Sequence, residues 1–197
     1  MINSYKKFIS KEELNDLPLF EYEGKIELIE NSERMPEIFK ILSSAKVLGF
    51  DTETRPSFSK GESYPVALLQ LATPDCAYIF RLSKMALPRE LISLFSNPDI
   101  IKAGVAIRDD LKALQKLVPF NPQGFVDLAK EVEKVEFTSL GLRALTGIFL
   151  GLRLSKAAKV TNWERATLTE AQIKYAASDA VVGLKIYEKL SEMRIPA

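Results

Sequence analysis

The sequence predicts an α/β protein in which a mixed sheet carries helices on both faces. Three observations carry that expectation. Two short apolar runs, residues 66–72 and 76–80, flank Thr73-Pro74-Asp75, the pattern of an antiparallel hairpin. From Pro88 onward strand-like and helix-periodic segments alternate, as parallel strands joined by crossover helices do. A chain of 197 residues, 47% hydrophobic and 27% charged, is one domain of ordinary size, long enough to bury such a sheet between helices.

Residues 1–24 read as an N-terminal extension, where Ser10 and Glu13 form a capping box on a short helix and Pro18 ends it. Residues 25–197 then form the working domain. Ile26, Leu28 and Ile29 alternate as a first strand, and residues 36–42 make a helix with Ile38, Ile41 and Leu42 inward. Val47, Leu48 and Phe50 make a second strand, followed by the hairpin. After it come a helix around Leu91, Ile92, Leu94 and Phe95, a strand at 100–105, a helix at about 109–117, a short strand at 125–128, and helices at 139–150 and 169–190. The last begins with a Thr169-x-x-Gln172 capping box.

Composition removes several kinds of chemistry. The chain has no histidine, which excludes Ser/His/Asp and Cys/His catalysis, histidine zinc sites and a histidine general base. Its one cysteine, Cys76, has no partner for an internal disulfide and reads as a buried small hydrophobe, as expected in a reducing compartment. A net charge of +1 means that any nucleic acid must be held by a local patch. With no signal-peptide core and no span of about 20 apolar residues, the expectation is a cytoplasmic protein without a membrane partner. No protein partner is deducible.

Carboxylates remain, and they fall in three places. Asp51 and Glu53 are two apart at the carboxyl end of the second strand, so they project from the same face at the end where α/β sheets place ligands. Two anions side by side resist ionisation unless a cation shares them, which makes the pair sensible as half of a divalent-metal site. In IKAGVAIRDDLKAL a helix opens on two aspartates, with Asp109 assigned to capping and Asp110 to the site. In the last helix Tyr175 and Asp179 are four apart and share a face. Between the helices, GLRLSKAAKVTNWER carries Arg153, Lys156, Lys159 and Arg165 with Trp163. These cations, with Arg55, Arg108 and Lys112, are the candidates for phosphate contacts, and Trp163 is assigned to the core.

D-x-E, Asp at a helix opening and Y-x-x-x-D, in that order, resemble the DEDD superfamily of 3′→5′ exonucleases in its tyrosine branch, which includes ribonuclease D and the Werner-type exonuclease domain. GFDTETRP is similar to the first motif, KAGVAIRDDLKAL to the second, and NWERATLTEAQIKYAASDA to the Trp-x-x-Arg-x-Leu lead-in and third motif of ribonuclease D. The likeness runs from about residue 47 to residue 190, and the missing histidine fits the tyrosine branch. It implies a ribonuclease H-like sheet, with residues 25–197 as the exonuclease domain. It also implies two divalent cations, Mg²⁺ or Mn²⁺, with Asp51, Glu53 and Asp179 as ligands, Asp110 serving the second ion directly or through water, and Tyr175 orienting the attacking water. The implied substrate is the 3′ end of DNA or RNA, cut to 5′-mononucleotides.

Two departures bear on substrate grip: Thr54 and Arg55 follow the D-T-E run where several relatives have an aromatic, and the Asp110 helix lacks the tryptophan of the Werner-type domain. Little chain follows the third motif, so neither the helical RNA-binding domain of ribonuclease D nor a helicase is expected. A haloacid-dehalogenase-type phosphatase also uses an acidic pair after an apolar strand and a later Gly-x-x-x-x-Asp-Asp, which GVAIRDD imitates, but it leaves Tyr175 and Asp179 unexplained. A non-catalytic nucleic-acid-binding module on the same fold usually lacks one of the four acids, all of which are present here.

Overall fold

A computed structural model describes residues 2–59 and 61–193. Six strands form one sheet: β1 (Lys25–Ile29), β2 (Val47–Thr54), β3 (Val66–Ala72), β4 (Cys76–Arg81), β5 (Ile101–Gly104) and β6 (Phe125–Asp127), in the spatial order β1-β4-β3-β2-β5-β6. The expected hairpin is β3–β4, and β2 is also antiparallel to β3. β1 runs parallel to β4, while β5 and β6 extend the other side in parallel. The mixed character follows from the connections: the Thr73 turn permits an antiparallel pair, whereas helices return the later strands parallel.

One face of the sheet is covered by α2 (Met35–Ser44), α3 (Arg89–Phe95) and α4 (Arg108–Leu117). Their Ile38, Leu42, Leu91, Phe95 and Leu114 pack with Leu48, Phe50, Leu69 and Tyr78 of the strands. The other face belongs to α7 (Glu170–Glu192), whose Ala176, Ala177 and Ala180 lie over Leu68, Ala72 and Ile79. Small residues let α7 approach the sheet closely. At Gly49 the approach is extreme, because a Cβ there would stand 2.0 Å from the Ala180 carbonyl oxygen. A third cluster joins α5 (Leu128–Glu133), α6 (Leu142–Leu150) and the end of α7 through Leu128, Phe137, Leu145, Phe149 and Ile186.

α1 (Lys11–Asp16) starts with the expected capping box: Ser10 accepts from the Glu13 amide at 3.1 Å and Glu13 accepts from the Ser10 amide at 2.9 Å. The segment around it is docked. Phe20 N–H donates to the Arg153 carbonyl at 2.8 Å, Arg153 N–H to Pro18 at 2.9 Å, and Thr138 N–H to Lys7 at 2.9 Å. Gly147 of α6 makes room for α1, since a Cβ there would meet Leu14 at 2.5 Å.

Several expectations need correction. Ile41, expected inward, is exposed on α2, and the helix expected at 139–150 begins at Leu142 after a cap at Gly141. Asp109 does not cap α4: the cap position is Ile107, and Asp109 is an exposed second-position residue paired with Lys112 at 3.1 Å. The chain leaves β5 through Ala106 at φ 59, and this turn brings the helix in at Arg108, ahead of both aspartates. The strand expected at 125–128 ends at Asp127, because the Asp127 carboxylate accepts from the Ala129 amide at 3.2 Å and starts the short helix α5. Cys76 and Trp163 are buried, as expected. Among the described residues no helix is long and apolar enough to cross a membrane.

Candidate active site

Three elements converge at the carboxyl end of β2. The strand supplies Asp51 and Glu53 on the face that α7 covers, and α7 supplies Asp179 next to Ala180, the residue held against Gly49. Asp51, Glu53 and Asp179 each offer a carboxylate oxygen, and these oxygens lie within 4.8 Å of one another. Asp110 stands at the third position of α4, where the hydroxyl of Thr52 donates to its carboxylate. Thr52 points to the opposite face from its neighbours, so β2 presents two acids to α7 and one hydroxyl to α4.

The electrostatics are those of anions crowded together. Burial, then the charges of Asp179, Glu53 and Asp110, hold the Asp51 carboxyl well above the usual range. Burial with Asp179 and Asp110 pushes Glu53 up to about 8. Burial likewise pushes Asp179 up to about 7, against the Tyr175 phenol, Lys159 and Arg143, which pull it down. Asp110 is raised by burial and lowered by the Thr52 hydroxyl. Burial and the neighbouring acids push the Tyr175 phenol up as well, so it keeps its proton. Clustered acids with raised pKa values at a strand end are a functional signature. Hard oxygen donors in this number could hold a divalent cation, which would relieve the repulsion.

The late helix is fixed before it reaches the site. Thr169 caps it by accepting from the Gln172 amide at 3.2 Å, and the Gln172 side chain reaches back to Thr161 Oγ1 at 2.9 Å and the Asn162 carbonyl at 3.2 Å. That ties the loop carrying Trp163 to the helix start, and the Trp163 ring lies 5.9 Å from that of Tyr175. The buried guanidinium of Arg81 holds the same loop by donating to the carbonyls of Arg165 and Ala166, and it pairs with Glu30 at 2.8 Å.

The seven expected phosphate contacts divide. Lys159 is exposed and acts on both Glu53 and Asp179. Arg55 pairs with Glu164 at 3.7 Å and lies over the Tyr64 ring at 4.6 Å, bridging the β2–β3 loop to the Trp163 loop. Lys112 is paired with Asp109, and Arg153 Nε donates to the Leu17 carbonyl at 2.9 Å. Arg108, Lys156 and Arg165 are exposed.

Sequence reasoning missed Thr52, Arg143 and the N-terminal segment. Leu19, Phe20 and Tyr22 form one wall of a 190 Å³ cavity whose other walls include Leu154, Ser155, Tyr175, Ser178 and Asp179. A threonine between two acids was the available signal for Thr52, since strand alternation turns it toward the second-motif helix.

A mixed six-stranded sheet with an acidic strand end under its last helix defines a ribonuclease H-like nuclease fold, and comparison with known proteins agrees. The profile of a family described as 3′-5′ exonuclease matches residues 26–194, so the chain belongs to that family. It is 35% identical over 199 residues to the bifunctional 3′-5′ exonuclease/ATP-dependent helicase WRN of Mus musculus, a match covering 95% of this chain and 14% of that protein. It is 30% identical over 203 residues to a putative 3′-5′ exonuclease of Acanthamoeba polyphaga mimivirus, covering 90% of this chain and 49% of that one. The chain therefore spans about half or less of these curated relatives. Among solved structures, the Nibbler EXO domain of Aedes aegypti superimposes with a TM-score of 0.76 at 26% identity, over 90% of this chain and 94% of that one. RNase D of Escherichia coli shares the fold, with a TM-score of 0.78 at 21% identity over 85% of this chain and 44% of that one. Family membership removes the phosphatase alternative, which had no use for Tyr175 and Asp179.

Proposed function

We propose that the chain hydrolyses DNA or RNA from a free 3′ hydroxyl, one 5′-mononucleotide at a time, with two divalent cations. The observation that carries this reading is the convergence of Asp51, Glu53 and Asp179 within 4.8 Å. Around them stand Asp110 held by Thr52, and Tyr175 one helical turn before Asp179, in a chain of the 3′-5′ exonuclease family. Asp51, Glu53 and Asp179 would hold the metal, with Asp110 serving a second ion. Divalent cations held there would supply Lewis-acid activation of a water and stabilise the charge that develops as a phosphodiester is cleaved.

The chain's own groups do the rest. Asp51 and Glu53 are partly buried and Asp179 is buried, all crowded together, so a cation is the partner that would let them ionise side by side. Tyr175 keeps its proton and orients the attacking water by hydrogen bonding, since a phenol held above its ordinary pKa is no base at neutral pH. Lys159 and Arg143, which already act on Asp179, face the charge that develops on the phosphate. The cavity beside Tyr175 and Asp179, walled by Phe20 and Tyr22, accommodates part of the terminal nucleotide. Residues 19–22 thus belong to the substrate-facing surface of a domain centred on residues 25–197.

The test is a 5′-labelled single-stranded oligonucleotide with Mn²⁺, compared with EDTA. A ladder shortened from the 3′ end, with the label retained and nucleoside 5′-monophosphates released only with the metal, is the expected result. Cuts within a circular single strand, or 3′-phosphate products, would overturn the reading.

A further inference from the structure

Gln70 lies in the middle of β3, in the otherwise apolar run VALLQLA, and is fully buried at 0% exposure. Neither its amide nitrogen nor its amide oxygen has a hydrogen-bond partner among the described residues. A buried, unmatched amide is costly, and native proteins retain one where it does a task. Its surroundings narrow that task. The neighbours on its own strand and face are Leu68 and Ala72, its partner across β4 is Ile79, and α7 covers this face with Ala176, Ala177 and Ala180. Across β2 its register partner is Asp51. Residues directly opposite on antiparallel strands point to the same face with Cβ atoms about 4.5–5.5 Å apart.

We infer that Gln70 is a positioning residue for Asp51: its amide, unmatched in this structure and opposite Asp51 in register, would turn its N–H to the carboxylate once a cation occupies the site and hold that ligand in place. The inference rests on the metal reading above. Trp163, whose indole N–H is a second buried donor without a partner among the described residues, belongs to the cluster on the same side of the sheet. Fixing one lone-pair direction of a ligand from behind is how supporting residues raise metal affinity.

The test is Gln70→Met, which keeps length and burial and removes both hydrogen-bonding atoms, with Mn²⁺ binding read from the metal-induced rise in melting temperature. Wild-type protein and Asp51→Asn serve as references. The expected result is Mn²⁺ affinity weakened ~10 to 100-fold, with kcat lowered and KM for the oligonucleotide unchanged. Without metal the melting temperature should stay level or rise, because an apolar side chain replaces an unmatched amide. Gln70→Asn keeps a shortened amide and should fall between the two; it decides the matter if the methionine variant does not fold. Mn²⁺ affinity and kcat within about twofold of wild type in these variants would overturn the role of Gln70 while leaving the metal site intact. A wild-type protein whose melting ignores Mn²⁺ overturns the metal reading, and this inference with it.

Discussion

The sheet holds buried charge in two contrasting ways. Lys102, at 0% exposure, donates to the carbonyls of Leu94 at 3.0 Å, Asn97 at 2.8 Å and Ile100 at 2.7 Å, and sits 5.0 Å from the Phe125 ring. Arg81, at 1%, is bound by Glu30 and two carbonyls. The acids gathered at the end of β2 have the opposite arrangement: Asp51, Glu53 and Asp179 face one another, and the charges acting on Asp51 are those of the other acids. A charge kept for the fold is matched inside the fold, while a charge kept for chemistry is left for a ligand to match.

The largest effect that would sharpen this contrast is on activity. Asp51→Asn and Asp179→Asn should each lower hydrolysis by ~10³-fold or more. Neither should lose folded protein, and the metal-free melting temperature should rise because anion crowding is relieved. Unfolding of both variants would place the acids with Lys102 as structural groups.

Next is the reverse case. Lys102→Met leaves three buried carbonyls without their donor and should cost about 3 kcal/mol, a fall of about 6–12 °C in melting temperature. Turnover per folded molecule at low temperature should stay at the wild-type level. A normal melting temperature would show that the buried ammonium contributes nothing net.

The smallest expected effect is a pH dependence. Glu53 and Asp179 have folded pKa values near 8 and 7, above their ordinary 4.5 and 3.8, so the folded state holds their protons more tightly than the unfolded chain does. Their contribution is then fully present below about pH 4 and lost as pH rises through 7 to 8. In EDTA the wild-type melting temperature should therefore decline from pH 5 to pH 8 more steeply than that of Asp179→Asn. Saturating Mn²⁺ should erase the difference, because a cation stabilises the ionised carboxylates. Parallel pH profiles for the two proteins in EDTA would show that the acids are not coupled.

Periodicity placed the acids at a strand end, a helix opening and a capped helix, but each alone reads as an ordinary strand end, cap or helix-face residue. The order of the three motifs and their resemblance to the tyrosine-branch exonucleases are what singled them out as one set, and the structure brings Asp51, Glu53 and Asp179 together. The mixed character of the sheet was legible through the hairpin turn and the later alternation, but its spatial order, with β1 beside β4, was not. Gln70 was hidden by its own strand, since one polar residue in VALLQLA looks like a tolerated exception until register places it opposite Asp51. Lys102 and Arg81 were hidden because a basic residue read alone is assigned to the surface, and only the three-dimensional supply of carbonyls makes its burial affordable. Asp109 misled because its capping preference is real, yet the Ala106 turn sets where the helix begins. The docking of residues 7–20 onto α6 and the loop after it was out of reach, being built largely from backbone hydrogen bonds that no side-chain pattern announces.

Gly49 lies two residues before Asp51, and Ala180 directly follows Asp179. The contact between them therefore gauges the gap between the strand that carries one carboxylate and the helix that carries the other. That gap is set by main chain against main chain, with no side chain that could adjust its rotamer to absorb a change. A single methyl group at position 49 would act as a shim, lifting the helix and widening the gap between the Asp51 and Asp179 carboxylates while leaving every acid in the sequence untouched. A variant of this kind could keep all four acids and still have lost the geometry that makes them useful.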